Sequence, residues 1–379
     1  MTFTLEALEA KHGDSLLLHW GDERLIVIDG GPSGVFLKTL LPRLEAIREE
    51  RDVETLPIRM LMVSHIDDDH IHGVLDWTRH MADLRKETKP VPWEVKTLWH
   101  NAFDDIVGNV EPLSTALGAA VAPVMNDDPL PADLGLDRYG ALVMASVAEG
   151  KTLRDDARAL KLSVNQPFKG LVWAPAAEKR EVALEDGLTF RIIGPLEAQV
   201  EALRVDWDKK LEEMKKKRKG SAEARAIAAD FVDKSVYNLS SIVVLASLGG
   251  RSMLLTGDAR GDFVLEGLRD AGLLKNDKIH VDLLKVPHHG SARNVRRDFF
   301  EQVTADHYVI SADGRHDNPD LEMLNMLTEA RGAAEYTIHL TNRVPDAKKF
   351  FDKDLPKGRK YQIVYRQDDE PSVSVALGG

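Results

Sequence analysis

The sequence contains no cysteine. This excludes disulfides and thiolate metal sites, and leaves histidine and carboxylate as the candidate ligand types. No stretch approaches the roughly 20 apolar residues that a membrane helix needs. Met1 to Ala10 alternates apolar and polar residues and carries two glutamates, without the basic start and apolar core of a secretory signal. The expectation is a cytoplasmic protein with no membrane partner. Positive charge is also short: 50 Lys and Arg stand against 62 Asp and Glu, a net charge of −12. That balance argues against non-specific coating of nucleic acid. It leaves room for a local basic groove, or for a site whose metal ions supply the positive charge.

What is present suffices for a large layered fold. The chain of 379 residues is 43% apolar, long for one domain but within reach of an α/β fold with insertions. Alternation and turn signals predict strands over 2–8, 15–20 and 24–28, with Gly21-Asp22 as a hairpin turn. A helix is expected over about 35–50, with Ser33 as a possible cap. Apolar runs predict strands at 58–64, 95–98, 187–193, 241–248, 251–255, 281–286, 307–310, 337–340 and 361–365. Helices are expected over about 73–86 and 262–271, and from near Pro319. Hairpins dominate the start and strand–helix alternation the second half, which suggests two mixed sheets packed together with helices outside. Two stretches interrupt this pattern. Residues 102–185 are largely helical but irregular. Residues 196–235 are highly charged and contain Lys209-Lys210 and Lys215-Lys216-Lys217-Arg218-Lys219. That run is either a solvated helical insertion or a basic arm for phosphate backbones.

The strand predicted at 58–64 runs into His65-Ile66-Asp67-Asp68-Asp69-His70-Ile71-His72, with three histidines and three aspartates in eight residues. So many polar side chains at a strand end are costly to bury unless something satisfies them. A divalent metal does so with these donors; the plainer alternative is an Asp-rich turn capping a helix. Other strand ends finish in similar residues: Asp29, Asp258, His288-His289 and His316. Function in layered α/β folds collects in loops on a shared sheet edge.

In order, Lys11-His12-Gly13-Asp14-Ser15, Ile28-Asp29-Gly30-Gly31, His65-x-Asp67-x-Asp69-His70, Asn238-x-x-Ser241, Gly249-Gly250, Thr256-Gly257-Asp258 and Leu284-Lys-Val-Pro-His-His-Gly-Ser291 resemble the metallo-β-lactamase fold superfamily. The resemblance is nearest to the metallo-β-lactamase-like domain of the DNA-uptake protein ComEC and its stand-alone relatives. It spans about residues 3–325 and weakens over 100–185 and 196–235. It implies an α/β, four-layer αββα sandwich with a charged helical insertion, formed by one hydrolase domain over 1–379. It also implies two divalent ions, zinc or manganese, sharing one hydroxide. By resemblance His65 and Asp67 serve the first ion, Asp69 and His70 the second, and Asp258 bridges them. Asp67, standing where the superfamily commonly has histidine, makes the site harder and favours manganese or magnesium over zinc.

His289 is expected to protonate the leaving oxygen or clamp a phosphate, with His288 as its neighbour or a metal ligand. Asp69 belongs with both as a catalytic group. The superfamily's further histidine before the bridging aspartate has no clear counterpart, so Asn238, Ser241 or a water fills that place. The usual late Gly-His-Pro reads Asp317-Asn318-Pro319 here, which makes His316 the candidate last ligand. His100 and Ser291 are candidate substrate contacts, and Asp14 and Asp29 supporting groups. Asp68 and His72 are expected to be bystanders. The expected activity is phosphodiester hydrolysis, plausibly of nucleic acid. The rivals are hydrolysis of a small ester, lactone or amide, and a catalytically weak scaffold subunit of a multi-protein, for example defence, system.

Overall fold

The computed structural model describes residues 2–108, 138–175, 181–217, 241–354 and 359–378, with the side chains of 138–148 and 354 set aside. In chain order the strands of the first half are β1 (Thr2–Leu8), β2 (Leu16–Gly21), β3 (Arg24–Ile28), β4 (Leu56–Ile58), β5 (Met60–Met62), β6 (Trp93–Val95), β7 (Thr97–Trp99) and β8 (Ser163–Val164). Those of the second half are β9 (Glu181–Ala183), β10 (Thr189–Gly194), β11 (Val243–Leu248), β12 (Arg251–Leu255), β13 (Ile279–Lys285), β14 (Val303–Ile310), β15 (Thr337–Leu340), β16 (Gln362–Tyr365) and β17 (Ser372–Ala376). Among the described residues these form two large sheets. One is seven-stranded in the order β17-β1-β2-β3-β5-β7-β8, the other eight-stranded in the order β16-β15-β14-β13-β12-β11-β10-β9. Each is mixed: hairpin-linked strands pair antiparallel, and helix-linked strands pair parallel except β10 with β11, which are antiparallel across the helix Glu197–Lys215 and the segment after it.

Period-two alternation assigns the layers. Leu16, Leu18, Ile26 and Ile28 point into the space between the sheets, against Phe190, Val244, Met253 and Leu255. Leu17, Leu25 and Val27 point the other way. They pack on α1 (Leu41–Glu50) and α2 (Asp68–Lys86) through Leu44, Ile71, Val74 and Trp77. On the far sheet Leu254, Leu284 and Ile310 meet Leu265, Leu268, Phe299 and Leu324. These come from α6 (Gly261–Asp270), α7 (Arg297–Gln302) and α8 (Leu321–Arg331). Between α2 and α6 in the chain lie α3 (Phe103–Val107), α4 (Arg138–Ala159) and α5 (Glu197–Lys215); α9 (Pro345–Asp354) follows α8. Strands buried on both faces read as nearly unbroken apolar runs. Two sheets between outer helices make the α/β, αββα sandwich expected of the metallo-β-lactamase fold.

Several boundaries differ from expectation. The runs read as strands at 58–64 and 95–98 each break at one residue, Arg59 and Lys96. Their first parts form a separate pair, β4 with β6, and only β5 and β7 join the large sheet. The helix expected from Gly73 begins at Asp68, so Asp69 and His70 lie in its first turn. Ser33 does not cap a helix: a π-turn over Phe36–Leu40 leads into α1 without a side-chain cap. The terminal strand β17, unseen in the sequence, pairs antiparallel with β1.

Candidate metal centre

The chemistry-bearing residues sit where β3, β5, β12, β13 and β14 end, together with the turn between β1 and β2. Close backbone approach fixes that edge. A Cβ on Gly30 would lie 2.3 Å from the Val74 nitrogen, and one on Gly73 2.0 Å from the Gly30 oxygen. Glycine at both positions lets the Asp29-Gly30-Gly31 turn lie directly on the first turns of α2, where Gly30 N–H donates to His70 O and Gly73 N–H to Gly31 O. Gly13 does the same from the other side, against Asp69 O, and Asp14 N–H donates to that oxygen.

Asp29, left-handed at φ 61°, is a buried hub. Its Oδ1 accepts Ser64 N–H at 2.7 Å, and its Oδ2 accepts the Ser64 hydroxyl and lies 2.9 Å from His70 Nδ1. This fixes the His70 ring so that Nε2 faces inward, 3.0 Å from Asp258 Oδ1 and 3.9 Å from Asp69 Oδ1. A carboxylate behind a histidine is how ligating imidazoles are commonly oriented. His289 is oriented by a carbonyl: its Nδ1 lies 3.0 Å from Ser311 O. Its Nε2 is then 3.2 Å from Asp69 Oδ2 and 3.5 Å from Asp258 Oδ1. Asp14, His70, Asp258 and His289, all buried, each offer an atom within 4.8 Å of the others.

Charge density here is high. Burial works against the charged forms of Asp69 and Asp258, yet His70 and His289 hold both carboxyls below their ordinary range. The same attraction outweighs burial for the imidazoles. His70 is raised well above its ordinary value, and His289 is pushed up to about 10 by Asp258 and Asp14. Burial, with Asp69 and Asp258 adding, pushes Asp67 the other way, to about 8. Meanwhile His70 Nε2, His289 Nε2, His65 Nε2 and Asp258 Oδ1 are buried without a hydrogen bond. Orphaned imidazole nitrogens converging on carboxylate oxygens fit a divalent cation, which supplies in one atom the charge the imidazolium protons carry.

The other expected residues distribute as follows. His65 is buried with Nδ1 3.4 Å from Asp67 Oδ2. His288, more exposed than His289, has Nε2 3.6 Å from Asp258 Oδ2. Both residues of this His-His pair are left-handed, at φ 48° and 54°. His316 is exposed and outside the four-residue group; its ring lies edge-on to His12, centroids 5.9 Å apart. His100 is buried beside α4, away from the group, with its backbone N–H on the Asn165 side chain. Ser241 and Ser291 are buried, Ser291 N–H donating to His288 O. Asn238 lies outside the described residues, as does the charged stretch beyond Lys217.

Two participants escaped the sequence reading. Lys285, 1% exposed, pairs with Asp14 at 2.7 Å. Burial alone would raise Asp14, but Lys285 and His289 bring it to about 2. The signal was a lysine inside the apolar run 281–286. The second is Glu149 of α4, which meets His72 and Asp68 on the outer face of α2.

No family model and no curated protein matches the chain. Among solved structures it is similar to a new diphosphatase from the PhnP family, with 12% identity and a TM-score of 0.39, over 99% of this chain and 98% of that one. It is also similar to two HARLDQ-motif mutants of a metallo-β-lactamase from Cronobacter sakazakii, with 11% identity and a TM-score of 0.31 in each case. Those alignments cover 93% of this chain and 93% or 90% of the mutants. At such values nothing about the site is carried over from them. No described helix is long and apolar enough to cross a membrane.

Proposed function

We propose that this protein is a metal-dependent phosphodiesterase acting on a nucleic-acid strand or another phosphodiester. The observation that carries the reading is the buried convergence of Asp14, His70, Asp258 and His289 within 4.8 Å, with Asp69 alongside. The His-x-Asp-x-Asp-His order, which resembles the ComEC-like branch, supports the substrate class. Asp69, His70, Asp258 and His289 would hold one divalent ion. His65 and Asp67, with Asp258 shared, would hold a second, manganese or zinc. Bound there, the ions supply positive charge opposite the phosphoryl oxygens and acidify a water.

The chain's own residues do the rest. Asp29 and the Ser311 carbonyl aim His70 Nε2 and His289 Nε2 inward. Lys285 keeps Asp14 anionic at the floor of the site. We assign His289 as a ligand, where the sequence suggested an acid, because its Nδ1 lies on the Ser311 carbonyl and its Nε2 faces Asp69 and Asp258. His288 stands nearer solvent and is the group to give a proton to the leaving oxygen. Ser241 and Ser291, both buried, would be substrate contacts.

The test loads purified protein with manganese or zinc and measures bound metal and hydrolysis of bis-p-nitrophenyl phosphate, single-stranded DNA and RNA. The expected result is about two ions per chain and turnover lost in Asp69→Ala. Fewer than one ion per chain sinks the metal centre and favours the scaffold reading. Ions bound, but parent and variant equally inert on all three substrates, sinks the phosphodiesterase and favours a small ester, lactone or amide.

A further inference from the structure

We propose that His12, Arg315 and His316 form an anion-binding rim that grips a second phosphate of the substrate, beside the one being cleaved. The choice of ligand rests on the phosphodiesterase reading; the rim itself rests on independent geometry.

The loop leaving β14 is tied to the centre at its base. Ser311 O lies on His289 Nδ1, and the Ser311 hydroxyl donates to Gly13 O at 2.6 Å. The His12-Gly13-Asp14 turn is in turn bonded to Asp69. Loop and turn therefore rise together from the cluster, and at their tops the His316 and His12 rings meet. The loop reaches this position through a costly backbone. His316 and Asp317 are both left-handed, at φ 58° and 64°. Such conformations are strained for residues with a side chain. No burial offsets that cost, because Arg315, His316 and Asp317 are all exposed. Strain that presents exposed polar side chains beside a buried reactive cluster is the pattern of a ligand-holding loop.

The electrostatics agree. His12 lies within electrostatic reach of Asp69 and His289 in the cluster and of Arg315 and Asp313 in the loop. Its Nδ1 is buried without a hydrogen bond. Arg315 has no carboxylate partner for its guanidinium among the described residues: nearby Asp313 accepts the Arg315 backbone N–H at 2.9 Å instead. A guanidinium binds phosphate through two parallel N–H donors, and imidazole N–H groups add further donors. The ligand chemistry is a phosphate one linkage from the scissile one. Two sources offer it: the next internucleotide phosphate of a strand, or the other phosphate of a diphosphate ester.

The test is equilibrium binding to the metal-loaded protein of two probes, a fluorescent phosphorothioate oligothymidylate and, separately, a nucleoside diphosphate. Parent, Arg315→Ala, Arg315→Lys and His316→Gln are compared across a salt series. Arg315→Ala is expected to weaken binding about tenfold and to lower the slope of log affinity against log salt by about 0.7 for the strand. Arg315→Lys is expected to recover the slope but only part of the affinity. A loss in the strand arm alone makes the ligand an oligomer; a loss in the diphosphate arm alone makes it a diphosphate. Affinities unchanged by Arg315→Ala and His316→Gln in both arms, or a parent that binds neither probe, overturn the rim. Arg315-dependent binding without hydrolysis leaves the rim standing and fells the phosphodiesterase reading.

Discussion

Helix α2 carries two His/Asp clusters, one on each side of its first turns. Asp69 and His70 face the sheets and the centre; Asp68 and His72 face α4. Both groups bring three or more ligand-type side chains within 4.8 Å, yet they differ in how their lone pairs are used. On the outer side His72 Nδ1 lies 2.9 Å from Asp68 and 3.1 Å from Glu149. Those two carboxylates push its pKa up to about 10, and both are held on the one ring nitrogen. One oxygen of Glu149 is left without a hydrogen bond there. On the inner side His65 Nε2, His70 Nε2, His289 Nε2 and Asp258 Oδ1 are left so, and all are buried. The same residue types one position apart thus make a closed ion-pair clamp or an open ligand set. Surplus unsatisfied donors, not composition, mark the metal centre.

The strongest way to break this contrast is Asp258→Asn. Asp258 is the carboxylate that both inward-facing imidazoles approach. Its loss should remove bound metal and cut bis-p-nitrophenyl phosphate turnover about a thousandfold, or ~4 kcal/mol. Metal content by elemental analysis and initial rates check this together. Full metal content with less than a tenfold rate loss would count against the inner cluster as the centre.

Glu6 offers a second closed cluster, remote from the centre in function, and a pH test of what closure is worth. It is 3% exposed and accepts from Arg43 Nε at 2.7 Å and the Ser372 hydroxyl at 2.8 Å, with His19 Nε2 at 3.1 Å. Burial alone would raise its pKa, but His19, Arg43 and Ser372 hold it down at about 2 against an ordinary 4.5. A folded-state pKa below the unfolded one stabilises the protein above pH 4.5, and the gain is lost as pH falls towards 2. Glu6→Gln should therefore cost about 3 kcal/mol at pH 7, and about half of that or less at pH 3. Urea unfolding midpoints at the two pH values measure it. A cost that does not shrink at pH 3 would mean that packing of β1 on β17, rather than charge, is what was lost.

The contrast also explains what could be read in advance. Strand ends bearing Asp29, His70, Asp258 and His289 were visible because apolar runs stop abruptly at polar residues. The sandwich followed from where hairpins give way to strand–helix alternation. The break at Arg59 was hidden because Met60 to Met62 continues the apolar run, and β17 because Ser-Val-Ser-Val-Ala is short and follows Asp368-Asp369-Glu370. Partners distant in sequence left no local trace: Lys285 with Asp14, and Glu149 with His72. Position along a loop was equally illegible. His316 lies at a strand-end loop like the others, yet two left-handed residues turn it outward to His12.

Within the inner cluster, Asp29→Asn sharpens the role of orientation. The amide keeps the volume but loses the charge behind His70 Nδ1. Metal affinity should fall about 10- to 100-fold, measured by competition with a chelator, while saturating metal restores most of the turnover. Failure of excess metal to restore it would mean that Asp29 holds the Ser64 loop itself, since it also binds the Ser64 N–H.

The smallest functional effect belongs to the outer cluster, and it is the sharpest test of the contrast. Glu149→Gln removes one of the two carboxylates on His72 without touching the inner donors. Metal stoichiometry and turnover should stay within about twofold of the parent. Stability should fall by about 3 kcal/mol, because a buried ion pair loses one partner. Loss of a bound ion in this variant, with stability unchanged, would show that the outer group binds a cation too, and that unsatisfied lone pairs do not separate the two faces of α2.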